Sequence, residues 1–310
     1  MNNYRIAFQT HDFGPQKDPF TFGIVTHGFA NHNLWVSPVD IKSVYWNEKF
    51  QGSILAGKYD EVLADLQLLE YKPKLCIAVF TKNAGVELFI NRFVQIMPGI
   101  TLAGGVAAIG DEQLKNELIP GSEDIRLFAF AEGCFEFQSL NIYEKTGIEV
   151  EIKRTSDRNF ELLRVIPDGS WQNAADFYHG QQKIFDIECS DFESLTFSDR
   201  NDRNLHFSLV GNSLHSGADL PDDNILLLRV TNKNNVEERV ADFISGEHSL
   251  IFGCAGIRSL IQKPLFTGQN SLAGFMFGEI VAVNHKAKFG NLMVTKIKLL
   301  EKVKQKGLKK

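Results

Sequence analysis

LCIAVFTKNAGVELFINRFVQIMPGITLA, residues Leu75 to Ala103, is the stretch whose pattern decides the fold class. Leu75 to Phe80 is a continuous apolar run of the length expected of a buried strand, and Lys82 to Gly85 has turn composition. Val86, Phe89, Ile90, Phe93, Val94 and Met97 then recur at helical spacing until Pro98 and Gly99 stop the helix. A strand at Ile100 to Ala103 completes strand, helix, strand within about 30 residues, the size of one βαβ unit. A parallel pair with a crossover helix is therefore expected here, and with it a mixed α/β, or α+β, protein.

On the N-terminal side, Phe22 to Thr26 and Asn33 to Val36 read as short strands. Tyr59, Val62, Leu63, Leu66 and Leu69 form one face of a helix. On the C-terminal side the period changes to two. Ile125 to Ala131, Phe135 to Ile142 and Gly147 to Lys153 read as consecutive strands of an antiparallel meander on an outer flank. In the third, Ile148, Val150 and Ile152 alternate with Glu149, Glu151 and Lys153, as in a sheet wet on one side. The polar run Arg154 to Asn159 offers turn chemistry without an apolar anchor, so a domain division is drawn there: 1–154, then 155–303, then a basic tail at 304–310.

Beyond it come a strand at Phe160 to Ile166, a Pro167-Asp168-Gly169 turn, and a helix bearing Ala174, Phe177 and Tyr178 with Ser170 as N-cap. A strand at Ile225 to Val230 leads to Asn235 and Glu238, spaced as a capping box, before Val236, Val240, Phe243 and Ile244. Strands at Ser249 to Phe252, Leu272 to Val283 and Asn291 to Leu300 finish the pattern. Leu102-Ala103-Gly104 and Leu272-Ala273-Gly274 begin comparable strands, which suggests two related, sheet-containing halves with helices packed on them.

Composition narrows the function classes. Of 310 residues, 44% are hydrophobic and 23% charged, with 33 basic and 38 acidic residues for a net charge of -5, so no general field draws the protein to nucleic acid. The exception is the lysine-rich end, Lys296, Lys298, Lys302, Lys304, Lys306, Lys309 and Lys310, read as a solvated terminus. Four cysteines, Cys76, Cys134, Cys189 and Cys254, make no Cys-x-x-Cys pair, which fits a reducing, cytoplasmic setting. No apolar run approaches the roughly 20 residues of a membrane span, and no export signal is read at the N-terminus. Nucleophile-elbow, Walker and His-Glu-x-x-His patterns are absent, and the eight histidines, His27 and His32 among them, show no ligand spacing. A conventional enzyme is not expected.

The candidate chemistry lies between residues 250 and 280. Cys254 follows a buried strand and precedes Gly256 and a helix start, where a thiol can touch a ligand or react; its other reading is a small buried hydrophobe at a tight turn. Arg258, four residues on, would share its helical face and suits a carboxylate or phosphate, or else a surface or structural ion pair such as one with Glu279. Gly274 and Gly278 flank Phe275 and allow close approach. Glu279, amid apolar neighbours, either orients a ligand or turns to water.

These residues carry a resemblance. LIFGCAG (250–256), LAGFMFGEI (272–280) and KFGN (288–291) resemble the C-terminal part of the FIST family. Its pattern is a strand ending in Cys-x-Gly-Arg-Gly, then Gly-Phe, Gly-Glu-Ile and Phe-His-Asn. IPDGSWQNAADFY (166–178), PDDNILLLRVTN (221–232) and FINRFVQIMPGITLAGGVAA (89–108) are similar to its upstream pieces, in order. The chain departs from the pattern with Gly256-Ile257-Arg258-Ser259 in place of Gly-Arg-Gly and with Gly290 in place of the histidine. The resemblance implies an intracellular sensory, signal-transducing module. It would bind an amino-acid-like or other small polar metabolite through Cys254, Gly256, Arg258, Gly274, Phe275, Gly278 and Glu279, in a cleft between halves, and relay the signal to a protein partner. It also implies haem-dependent nitric oxide sensing as an alternative; an uncharacterised enzyme using Cys254 is a third.

Overall fold

The computed structural model describes residues 2–9, 21–26, 29–30, 35–36, 43–81, 85–107, 123–188, 194–231, 233–261, 263–276, 279–283 and 286–300. The expected βαβ unit forms as read: β6 (Leu75–Phe80) pairs in parallel with β7 (Thr101–Val106), with α2 (Val86–Ile96) between them. Gly85 caps α2 at φ +81°, a left-handed conformation that only glycine adopts freely. Gly104 has φ +115°, and a Cβ there would strike the Ala78 carbonyl, so this glycine lets the two parallel backbones approach.

Three sheets are built around this unit. The first runs β2 (Thr21–Val25), β1 (Asn2–Gln9), β5 (Ser43–Gly57), β8 (Ile125–Phe130), β6, β7, β20 (Glu279–Val283), β21 (Lys286–Gly290). The third runs β4 (Trp35–Val36), β3 (Phe29–Ala30), β19 (Leu272–Met276), β18 (Ser249–Cys254), β22 (Met293–Leu299), β9 (Phe135–Asn141). Strand alternation decides how the two stack. Leu75, Ile77 and Val79 of β6 pack with Leu250 and Phe252 of β18 in one aromatic-rich cluster with Phe8, Phe22, Phe128 and Phe130. Cys76, Ala78 and Phe80 turn the other way, to α1 (Tyr59–Gln67) and α2. The outer face of the third sheet, through Ile251 and Ala273, is covered by Val236, Val240 and Ile244 of α4 (Lys233–Ile244) and by Ile257 of α5 (Ala255–Ser259). The result is a four-layer sandwich, helix, sheet, sheet, helix, whose two inner faces exclude water.

The second sheet is built wholly from residues 144–230, and its core is continuous with the helix-covered face of the first sheet. Its order is β14 (Asn204–Leu205), β13 (Leu195–Ser198), β17 (Ile225–Val230), β10 (Glu144–Arg154), β11 (Asn159–Val165), β16 (Ser213–Ser216), β15 (Phe207–Val210), with β12 (Gln172–Asn173) on β11. Helix α3 (Ala174–Ile184) covers it through Phe177 and Tyr178. The N-cap is Asn173, whose side chain accepts from the Ala175 and Asp176 amides at 2.9 and 3.1 Å, rather than Ser170. The chain enters at 141–144 and leaves at 230–233. These crossings lie side by side, for Glu144 pairs with Val230 and Arg239 donates to the carbonyls of Asn141 and Ile142.

A mixed α/β fold, strand-rich rather than balanced, is what forms, but several expectations need correction. The three strands between 125 and 154 are not a meander: β8 enters the first sheet, β9 the third and β10 the second. Each has the alternation of a half-buried strand, and alternation does not say which neighbour supplies the hydrogen bonds. Strand β10 is central, not an outer flank. Arg154 to Asn159 is the turn of the β10–β11 hairpin, so the division at 154 cuts a single sheet; polar turn residues mark a hairpin as well as a linker. Leu272 to Val283 is two strands in two sheets, β19 ending at Met276 and β20 beginning at Glu279. Asn235 falls inside α4, which starts at Lys233, and so is not its cap. The tail at 304–310 lies outside the described residues.

Candidate functional site

The residues singled out around Cys254 do come together, in the interior. Cys254 ends β18 in the third sheet and Glu279 begins β20 in the first. Glu279 is 0% exposed, and its Oε1 accepts from the Met293 amide at 2.6 Å. No nitrogen or oxygen among the described residues bonds Oε2, while the Cys254 thiol faces the carboxyl. Burial pushes this carboxyl well above the usual range, against the opposing bonds from Met293 and Cys254. Burial therefore favours the neutral form of this acid.

Around this pair the packing is close. Cys254 is 5% exposed and belongs to the cluster under α4 and α5. Phe275 is buried, and its ring lies where a Cβ on Gly253 would meet it at 2.9 Å. A Cβ on Gly274 would meet Thr26 at 2.7 Å and the Phe8 ring at 2.8 Å, so the approach that glycine permits here is between the two sheets of the sandwich. Gly256 and Arg258 lie in the single turn of α5, and Gly278 is outside the described residues. The solvent-reachable hollow expected between Cys254 and Glu279 is thus replaced by core. The space between the first and third sheets is a filled sheet–sheet interface.

An open cleft of about 650 Å³ lies elsewhere, between the 144–230 unit and the sandwich. One wall is α2, with Glu87 and Asn91, and Phe289 of β21. The other is three loops of the second sheet, at 154–157, 199–203 and 219–223. Six acidic side chains and three arginines line it. Arg203 is at its base, with a side chain 7% exposed. Asp199 positions it: Oδ1 accepts from the amides of Asn201 and Arg203 at 2.8 and 3.0 Å, and Oδ2 from Arg203 Nε at 3.0 Å. The guanidinium then reaches across the cleft. Nη1 donates to Glu87 Oε1 at 2.6 Å and Nη2 to the Asp219 carbonyl at 2.8 Å, with Phe289 O at 3.4 Å from Nη1. This joins a loop of one unit to a helix and a strand of the other.

Two carboxyls meet over that guanidinium. The Asp219 carboxyl accepts from Arg158 Nε at 2.7 Å, as the Glu87 carboxyl accepts from Arg203. Burial pushes Glu87 up to about 7, against the pull of the Arg203 charge, and the Asp219 charge adds to the rise. Burial acts on Asp219 in the same direction but is outweighed: the hydrogen bond from Arg158 and the charges of Arg158 and Arg203 bring it below the ordinary carboxylate range.

None of Glu87, Arg158, Arg203 and Asp219 stands out in the sequence. Glu87 reads as a first-turn helix acid. SDRNDRN (198–204) and ADLPDDN (218–224) read as polar turns, and no spacing ties them to a helix more than a hundred residues upstream. The charge density of these two turns is the one available signal. Among the described residues no group of three His, Cys, Asp or Glu side chains is placed to hold a metal ion, and no described helix is long and apolar enough to cross a membrane. No protein-family model matches the chain, and no curated protein matches it significantly in sequence.

Proposed function

We propose that this chain is a small-ligand sensor, and that its ligand enters the cleft between the 144–230 unit and the sandwich rather than the Cys254 region. The observation that carries this reading is the cleft itself: about 650 Å³, open to solvent, between two units joined by adjacent crossings. Such a volume falls in the usual range for small-molecule sites, which favour domain interfaces. Side chains of both signs on its walls suit a zwitterion or another compact polar metabolite, the class that the FIST-like motifs imply. Paired crossings at 141–144 and 230–233 would serve as the hinge, and a ligand bridging both walls would hold the units closed for a partner to read.

Thermal-shift screening of the full chain against amino acids, polyamines and small carboxylates tests this. A ligand at about a hundred times its Kd adds about 2.7 kcal/mol, a rise of several degrees in Tm. The shift should vanish in a double variant at the rim, Asp157→Asn with Asp222→Asn, and survive in Cys254→Ala. The opposite outcome, loss in Cys254→Ala with the rim variant unaffected, would return the site to the residues first read from the sequence.

A further inference from the structure

We propose that the cleft recognises its ligand through positive charge: the ligand is a short alkylammonium compound, a diamine above all, held by the carboxylates of Asp157 and Asp222. This rests on the reading of the cleft as the ligand site and names the chemistry that fills it.

The arginines decide what the cleft does not favour. A carboxylate or phosphate is held by guanidinium N–H groups, and every arginine of the cleft already donates to the protein. Arg203 gives Nε to Asp199 at 3.0 Å, Nη1 to Glu87 at 2.6 Å and Nη2 to the Asp219 carbonyl at 2.8 Å. Arg200 gives Nε to Glu149 at 3.0 Å, with Nη1 3.7 Å from Asp223. Beside them Arg158 gives Nε to Asp219 at 2.7 Å. Arg154 has no carboxylate partner among the described residues, and its donors go to the Asn224 side chain and the Pro221 carbonyl. An anion would compete with these bonds.

Carboxylates, in contrast, are in excess. Six acidic side chains and three arginines line the cleft, and adding the partners Arg158 and Glu149, one of each sign, leaves the excess at three. With Glu87 protonated it is still two. Asp157 and Asp222 carry that remainder: both are exposed, and neither side chain has a hydrogen bond or ion pair among the described residues. The Leu220 amide donates to the Asp157 carbonyl at 2.8 Å, which ties the 219–223 loop to the β10–β11 turn and sets both carboxylates on one wall. Excess charge of one sign inside a cleft with low-dielectric walls concentrates the opposite charge there.

The rest of the lining suits an alkyl stem better than a bare ion. On the opposite wall α2 presents Leu88, 62% exposed, and Asn91, and Leu220, Pro221 and Phe289 add further apolar surface. Methylene groups bury against these side chains, while the Asn91 amide oxygen can accept from a second ammonium. A metal ion needs several ligands around one point, and no group of three His, Cys, Asp or Glu among the described residues supplies them.

The test is isothermal titration of the full chain with three four-carbon compounds that differ only in their ends: butane-1,4-diamine, 4-aminobutanoate and succinate. The diamine should bind most tightly, the amino acid more weakly and succinate not measurably. Raising sodium chloride from about 20 to about 200 mM should weaken the diamine several-fold. Asp157→Asn with Asp222→Asn, both exposed and so compatible with the fold, should weaken it roughly tenfold or more. Succinate binding more tightly than the diamine, and weakened by Leu88→Trp on the opposite wall, overturns the positive-charge reading and leaves the cleft as the ligand site. Diamine binding that neither the aspartate pair nor Leu88→Trp weakens removes the cleft reading itself. Magnesium chloride alone binding as tightly as the diamine, and lost in the aspartate pair, overturns the proposal in favour of a simple counter-ion cluster. Absence of binding by all of these also overturns it, while the wider thermal screen still decides whether the cleft takes another ligand.

Discussion

Glu279 and Glu87 are both carboxyls lifted above their usual range by burial, and they differ in what surrounds the lift. Glu279 faces a thiol and one backbone amide inside the sandwich, with no counter-charge among the described residues, so burial favours its neutral form. Glu87 faces a guanidinium and a second carboxyl at the edge of an open cleft, where both protonation states are reachable near neutral pH. Perturbation of a carboxyl therefore does not by itself mark a functional site. Perturbation where the charged form has partners and solvent is nearby does, and this distinction moves the candidate site from the Cys254 region to the α2 cleft.

Substitutions can break or sharpen this contrast. Arg203→Ala should have the largest effect, a loss of about 3–5 kcal/mol in urea unfolding, because it strands Asp199 and Glu87 at a junction where the arginine side chain is 7% exposed. A loss under about 1 kcal/mol would mean that the junction is solvated and the two carboxyl environments are alike. Glu279→Ala should cost about 2–4 kcal/mol by removing the acceptor of the Met293 amide and leaving a void. Glu279→Gln preserves that acceptor and should change stability by less than about 1 kcal/mol between pH 5 and 8, since a neutral group replaces a neutral one. A strong pH-dependent effect of Glu279→Gln would show that this carboxyl ionises in the folded protein. Smallest of all should be native-state alkylation of Cys254: mass spectrometry after brief treatment with a thiol reagent should find exposed Cys134 modified, and Cys254 and Cys76 untouched. Fast labelling of Cys254 would place an opening at the core pair after all.

Much of the local structure was legible. The strand at Leu75–Phe80, the helix that follows it, and the strand at Ile225–Val230 lie where their apolar runs and punctuation put them. Nearness of Cys254 to Glu279 was legible too, as two segments flanking a glycine-containing strand. Burial of the pair was not. A glutamate between Gly278 and Ile280 reads the same whether its strand ends at the surface or crosses from one layer of a sandwich to the next. Arg154 to Asn159 misled for a related reason, since the turn residues that close a hairpin are those that begin a linker.

By itself the sequence determined the parallel βαβ unit, the mixed α/β class and places where the backbone needs glycine, because each depends on periodicity and steric limits within a few residues. Only the tertiary structure decided that β8, β9 and β10 join three different sheets, that residues 144–230 form a sheet of their own, and that Glu87, Arg203 and Asp219 meet. Strand pairing and charge clusters are set by contacts between segments far apart in the chain. The free energy of such contacts comes from excluding water between surfaces that only the folded molecule brings together.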